Sequence, residues 1–324
     1  MPAGVVQAVE LERLGFDAIW VPDSQLLWRD TWVSAAAIAA ATNSVRIGTA
    51  VTNPVTRTAE VTASAAVSLD ELSERRFRLG IGTGDSATRV TGGSGARLRE
   101  LRSAVELIGR LTAGEWVSAP AQRVRLKAAE HRTTRVPLYL GAAGPRMLQL
   151  AAELADGVIL LTGNTPASLD YAFDNMAIGA ERAGREVADL HVVLAIRCRV
   201  AADRAESERL ARPFAAKYAI RSPETLRAAG IVPVAAGRAD TYPDLAHAED
   251  WEQAIELTSW IPDDVLRAFC DRHMVIGTAD EVSARLGEFI RRGITSFMFI
   301  DYASYDPPMA LARELAASVL PRWR

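Results

Sequence analysis

Phe77-Arg78-Leu79-Gly80-Ile81-Gly82-Thr83-Gly84-Asp85 is a short apolar run that stops abruptly in small and polar residues. Two other stretches share the design: Val45-Arg46-Ile47-Gly48-Thr49-Ala50-Val51-Thr52-Asn53-Pro54 and Val136-Pro137-Leu138-Tyr139-Leu140-Gly141-Ala142-Ala143-Gly144-Pro145-Arg146. Each has the length and composition of a strand buried on both faces, as parallel strands are, and each is followed by a helical pattern. Their Gly, Thr, Asn and Asp residues would all lie at the carboxyl end of one parallel sheet, where α/β proteins bind ligands. The repetition makes the chain an enzyme candidate.

Working outward, strands are predicted at Phe16–Val21, Val45–Val51, Phe77–Gly82, Val136–Leu140, Gly157–Leu161, Leu190–Val200 and Ile294–Ile300. Helices are predicted at Val5–Leu14, Trp32–Thr42, Ala59–Leu72, Arg97–Leu111, Pro145–Leu154, Pro166–Ala183 and Met309–Leu320. Trp116–Leu126 reads as a polar excursion or a small hairpin. Strands and helices alternating over short connections specify a parallel sheet with right-handed crossovers. The fold class is therefore an α/β, (β/α)8 TIM-type barrel with its first strand missing, because the chain opens on a helix and only seven strands are read. A gap would leave backbone edges bare, so either a further N-terminal stretch or a partner chain is expected to complete it. The whole of residues 1–324 is expected to form one domain, with residues 202–275 a helical insertion before the last strand.

The 324 residues are 49% hydrophobic with a formal net charge of -3, enough for a large core and no electrostatic case for nucleic acid or an anionic membrane. Two cysteines, Cys198 and Cys270, cannot make a disulfide framework and fit a reducing cytoplasm. No run is apolar enough for a signal peptide or a membrane span. The histidines, His131, His191, His247 and His273, are scattered without metal-ligand spacing, so no metal is expected. A nucleophile elbow, a Walker loop and a dinucleotide-binding glycine motif are all absent from the sequence.

On these residues the chain resembles the bacterial luciferase-like flavin and deazaflavin oxidoreductases. Gly48 to Arg57, Leu69-Asp70-Glu71-Leu72-Ser73 and Gly80 to Asp85 carry the likeness. Gly144-Pro145-Arg146-Met147, Ala155-Asp156-Gly157-Val158 and Ile276-Gly277-Thr278 extend it into the C-terminal half. Within that superfamily it is most similar to the methylenetetrahydromethanopterin reductase-like branch, which uses the deazaflavin coenzyme F-420. The resemblance implies hydride transfer between reduced F-420 and an unsaturated, carbonyl or imine substrate, a small molecule, in a homodimer. Two alternatives stay open: an FMNH2-dependent monooxygenase, with FMN as cofactor, and a cofactor-free, non-catalytic family member.

The resemblance also assigns roles. Ala50 and Val51 would be joined by a non-prolyl cis peptide propping the ring from behind, and Thr52 and Asn53 would meet a ring edge. Asn53, before Pro54, is equally suited to turn duty. Gly82, Thr83 and Gly84 let backbone amides approach a ligand, and Thr88 matches a contact to the coenzyme's polar tail. Asp85 matches an acidic residue that donates a proton or positions the cofactor; as an acid it must be partly desolvated. The competing reading of Asp85 is a helix N-cap. Asp23 matches an Asp beside the cofactor. Several relatives follow it with a His, whereas here Ser24 follows, and a hydroxyl cannot serve as a base at pH 7. Sugar-phosphate dehydrogenation is therefore not expected. Trp28 and Trp32 are candidates for the pocket wall or for helix packing. Gly141, Ala142, Ala143, Gly144, Pro145 and Arg146 read as a turn into a helix N-terminus that suits a phosphate. Gly163, Asn164 and Gly277-Thr278 are weaker candidates for the same tail.

Overall fold

The computed structural model describes residues 3–118, 122–228, 230–231, 240–301 and 308–323. The chain runs α1 (Ala3–Leu14), β1 (Ala18–Val21), α2 (Thr31–Ala41), β2 (Arg46–Thr49), α3 (Ala59–Leu72), β3 (Phe77–Ile81), α4 (Ser86–Arg89) and α5 (Leu98–Thr112). A two-stranded antiparallel hairpin, β4 (Val117–Ser118) and β5 (Arg123–Val124), follows. Then come β6 (Leu138–Ala142), α6 (Pro145–Leu154), β7 (Gly157–Leu160), α7 (Pro166–Arg182) and β8 (His191–Val200). The remainder is α8 (Arg204–Arg221), α9 (Pro223–Ala228), α10 (Trp251–Leu257), α11 (Asp263–His273), β9 (Met274–Gly277), α12 (Ala279–Arg291), β10 (Ser296–Ile300) and α13 (Met309–Glu314).

The main sheet is ordered β1-β2-β3-β6-β7-β8-β10, with β9 also paired with β8. This is the curled, mostly parallel sheet of a TIM-type α/β fold. Its eighth member, β9, was not among the seven predicted strands. Met274-Val275-Ile276-Gly277 follows His273 with no Gly or Pro between, so nothing in the sequence separates it from α11. The ten-residue β8 has room for two partners: His191–Leu194 pair with β7, and Arg197–Val200 pair with β9. A second difference concerns β6, which runs on through Gly141 and Ala142 because these pair with Ile159 and Leu160. The predicted turn therefore begins only at Ala143.

Contacts divide the chain into two compact units. The first comprises residues 1–162 and 170–194, and the second residues 163–169 and 195–324, which takes in the predicted insertion. In the first unit, large rings lie against glycine. A Cβ on Gly48 would sit 2.3 Å from the Trp20 ring, and one on Gly157 would sit 2.2 Å from the Tyr139 ring. The two rings meet edge-on at 5.5 Å, and the Tyr139 hydroxyl lies 3.1 Å from His191 Nδ1. The second unit has a core of its own, built on Phe214, Ile255, Leu266 and Phe269.

Polar fastenings hold the amino-terminal ends of the strands. Arg76 donates to Thr42 Oγ1 and to the carbonyls of Ala39, Thr42 and Val45, tying α2 to β2. Arg132 and Asp70 form a buried ion pair at 2.6 Å. Glu12 Oε1 accepts from the amides of Asn43, Ser44 and Val45 and from the Ser44 hydroxyl, joining α1 to the start of β2. Burial raises the Glu12 pKa, but these hydrogen bonds outweigh it and bring the value down to about 2.

A carboxylate whose pKa is lowered on folding stabilises above its unfolded value, and that stability is lost as pH falls through the folded one. Glu12→Gln should cost about 1 kcal/mol at pH 7, a figure kept small by solvent screening. In urea titrations the gap from wild type should close between pH 4.5 and about 2. An equal gap at both ends would show that the charge contributes nothing.

Candidate active site

The first unit's site begins with a mismatch between β2 and β3. Gly48 pairs with Arg78 and Thr52 with Ile81, so Thr49, Ala50 and Val51 stand opposite only Leu79 and Gly80. The extra residue makes a bulge. The buried Thr49 side chain fills the broken ladder: its Oγ1 donates to the Gly80 carbonyl at 2.6 Å and accepts the Gly80 amide at 3.0 Å. The ladder closes again through Thr52 N to Gly80 O and Gly82 N to Thr52 O, both 2.9 Å. Ala50-Val51 is a cis peptide, as the resemblance implied.

The bulge sets Val51 against the ends of two neighbouring strands. A Cβ on Gly82 would lie 2.9 Å from Val51 Cγ2, and one on Gly141 would lie 3.2 Å from Val51 Cγ1. Three strand ends thus converge on one isopropyl group, and only glycine leaves it room. Beyond the carboxyl ends of β1, β2 and β7, enclosed polar atoms lack a partner among the described residues: Asp23 Oδ2, Thr52 Oγ1, Asn53 Nδ2 and Thr162 Oγ1. Both readings of Asn53 hold in part. Its Oδ1 accepts from the amides of Val55 and Thr56, which is turn duty, while its amide nitrogen remains unspent. Thr162 was missed by the sequence reading, although it follows a strand end just as Thr52 and Thr83 do.

The loop after β3 is folded tightly on itself. Gly84 has φ +85°, a conformation that favours glycine, and the Ala96 amide returns to the Thr83 carbonyl at 2.7 Å. Thr88 is 2% exposed, and its Oγ1 donates to the Asp85 carbonyl. Asp85 precedes α4 without a side-chain capping bond. Its side chain is 79% exposed and faces Arg89 at 3.4 Å, so the desolvation demanded of an acid is not met there. Asp23 contrasts with it, since one of its oxygens is enclosed. The loop after β1 is strapped to the loop after β3 by Ser24 Oγ to Ser86 Oγ, 2.5 Å, and by Gln25 Nε2 to the Ala87 carbonyl, 2.6 Å. Ser24 thus spends its hydroxyl on a structural bond. Trp32 packs against Phe77 at 6.0 Å and lies under the Arg57 guanidinium at 5.7 Å, the helix-packing role rather than a free wall.

Beyond β6, Ala143, Gly144, Pro145 and Arg146 are exposed, and Gly144 caps α6 through backbone alone. Pro145 takes the first position, where its missing N–H costs nothing. The free amides and the positive helix end suit a phosphate oxygen, and among the described residues no carboxylate pairs with Arg146 to compete. Gly163 belongs to the second unit, beside His273.

The model of the family described as luciferase-like monooxygenase matches residues 3–296. The chain belongs to this family. The 5,10-methylenetetrahydromethanopterin reductase of Methanolobus tindarius is 32% identical over 292 residues, covering 89% of this chain and 86% of that one. An F-420-dependent glucose-6-phosphate dehydrogenase of Nakamurella multipartita is 31% identical over 228 residues, covering 64% and 67%. The coenzyme F-420-dependent tetrahydromethanopterin reductase of Methanopyrus kandleri superimposes with a TM-score of 0.76 at 21% identity, over 99% of this chain and 95% of that one. The names of the dehydrogenase and of the Methanopyrus kandleri reductase give F-420 as their coenzyme. Among the described residues no helix is long and apolar enough to cross a membrane, and no group of three or more His, Cys, Asp or Glu is disposed to hold a metal.

The contact of Val51 with Gly82 is open to a double-mutant cycle. Gly82→Ala should destabilise by about 1–3 kcal/mol through overpacking, and Val51→Ala in the same chain should recover part of that loss. Strict additivity in urea unfolding would mean that the two side chains do not meet.

Proposed function

We propose that this protein is an oxidoreductase that moves a hydride between reduced coenzyme F-420 and an unsaturated, carbonyl or imine small-molecule substrate. One observation carries the reading: Val51 is seated over Gly82 and Gly141, and Thr52 and Asn53, which follow it in the chain, keep enclosed polar atoms without a partner among the described residues. Enclosed donors and acceptors without partners are costly in a folded chain, and a polar ligand lying on that floor relieves the cost. F-420, when bound, supplies the hydride chemistry, and the protein supplies orientation, exclusion of water and a proton.

In this reading Ala50 and Val51 support the ring, Thr52 and Asn53 meet its polar edge, and Gly82, Thr83, Gly84 and Thr88 line its approach. Gly141, Ala142, Ala143, Gly144, Pro145 and Arg146 hold the phosphorylated tail. Of the two catalytic candidates, Asp23 is given the proton because its Oδ2 is shielded from water. Asp85, solvated and held by Arg89, is given the positioning role. We also propose a homodimer: α2 is apolar on all sides, and Val33 on α2 and Val61 on α3 are 70% and 50% exposed. A monomer by light scattering at micromolar concentration would refute that. A cytoplasmic setting fits the two unpaired cysteines, whose thiols burial pushes up to about 12.

Titration of the purified protein with F-420 and with FMN tests the cofactor. F-420 fluorescence should be quenched at micromolar concentration, and FMN fluorescence far less. Micromolar binding of FMN with none of F-420 would replace the proposal with a luciferase-type monooxygenase, and binding of neither would favour a cofactor-free protein. For the proton, Asp23→Asn should cut turnover by about 10²-fold or more, and Asp85→Asn by less than about tenfold. The reverse order would hand the acid role to Asp85.

A further inference from the structure

The second unit contains a group that hydride transfer in the first does not use. Arg197, on β8, lies with its guanidinium 4.4 Å from the Phe214 ring centre. Its Nε is enclosed and has no acceptor. Tyr218 is the polar side chain that bears on the guanidinium, and among the described residues no carboxylate pairs with it. The contrast within the same unit is plain: Arg204, Arg209 and Arg212 each sit on Asp or Glu side chains. An enclosed cation without a counter-charge is costly, and an aromatic face compensates only in part.

The neighbours of Arg197 add hydrogen-bonding capacity but no negative charge. Tyr218 lies 5.3 Å from the His273 ring, and His273 Nε2 is enclosed without a partner. Burial, then the charges of Arg197 and Arg272, hold His273 down to about 4, so it stands neutral at pH 7. Gly163 approaches His273 so closely that a Cβ there would lie 3.3 Å from Nδ1. The next residue, Asn164, is 1% exposed, and among the described residues neither Oδ1 nor Nδ2 has a partner. Its backbone is fixed, the amide donating to Arg272 O at 3.3 Å and the carbonyl accepting from Arg285 Nη2 at 2.7 Å.

We propose that Arg197, with Tyr218, His273 and Asn164, forms a binding site in the second unit for a carboxylate of a small molecule. The charge count selects the class. Arg197 is the enclosed cation, with the part-buried Arg272 beside His273, and the other three are neutral donors, which suits a monoanion. A phosphate dianion at the same place would leave one negative charge without an enclosed counter-charge. The planar guanidinium also matches the two oxygens of a carboxylate. The site needs no F-420, so it stands or falls separately from the function proposed above.

The probe is sodium acetate, with chloride at equal ionic strength as the reference and inorganic phosphate as the competing anion. Acetate should raise the wild-type melting temperature and shift the His273 ring resonances in NMR spectra. Arg197→Met removes the charge but keeps the apolar stem. It should melt no lower than wild type in chloride, because an unpaired buried charge is gone, and should weaken acetate binding at least tenfold. Asn164→Ala, which leaves Arg197 in place, should weaken acetate binding severalfold and keeps the test open if Arg197→Met does not fold. No response of wild type to acetate beyond chloride would overturn the proposal. So would a larger response to phosphate, or unchanged acetate binding in Asn164→Ala.

Discussion

Everything in the first unit's site follows from one extra residue in β2. With Thr49, Ala50 and Val51 opposite only Leu79 and Gly80, the ladder between β2 and β3 cannot continue in register. The Thr49 hydroxyl bridges the break by donating to and accepting from the same residue, Gly80. A hydroxyl can do both at once, which an apolar side chain of that size cannot. Thr49 is fully buried, so the exchange is made away from water, where an unmade bond costs most. Val51 is then carried inward over Gly82 and Gly141, and Thr52 and Asn53 are set beside it.

The same economy explains which polar atoms are left over. Most buried polar side chains of the first unit are spent on backbone: Thr31 on Pro22, Thr42 on Ile38, Arg76 on Ala39 and Val45. These lie on loops and helix ends whose task is to hold position. The unspent atoms of Asp23, Thr52, Asn53 and Thr162 all follow the carboxyl ends of strands β1, β2 and β7. That is the edge at which a parallel sheet presents its ligand-binding loops; other unspent atoms of the unit, Gln7 Oε1, Trp32 Nε1 and Thr62 Oγ1, lie on helices.

How much of this was legible in the residues depends on the kind of signal. Strands buried on both faces announce themselves as apolar runs ending in glycine or polar residues, so β2, β3 and β7 were read to within about two residues. Helices α3 and α6 were read to their ends, because Leu72-Ser73 and Pro145 punctuate them. β9 was not read, since a four-residue strand that follows a helix without punctuation has no period of its own. β6 was read two residues too early because Gly141 and Ala142 look like turn residues, and only their pairing with Ile159 and Leu160 makes them strand. Exposure was not legible at all. Asp23 and Asp85 each follow a strand, but Ser24–Ser86 and Gln25–Ala87 are long-range contacts that close over one loop and leave the other carboxylate in water.

That strap also fixes what Ser24 can do in this chain. Ser24 is 7% exposed and bonded to Ser86, the first residue of α4. An imidazole is larger and carries its donor and acceptor on opposite edges, so it could not make this short contact without moving one of the loops apart. The serine thereby fixes the spacing between the segments that carry Asp23 and Asp85.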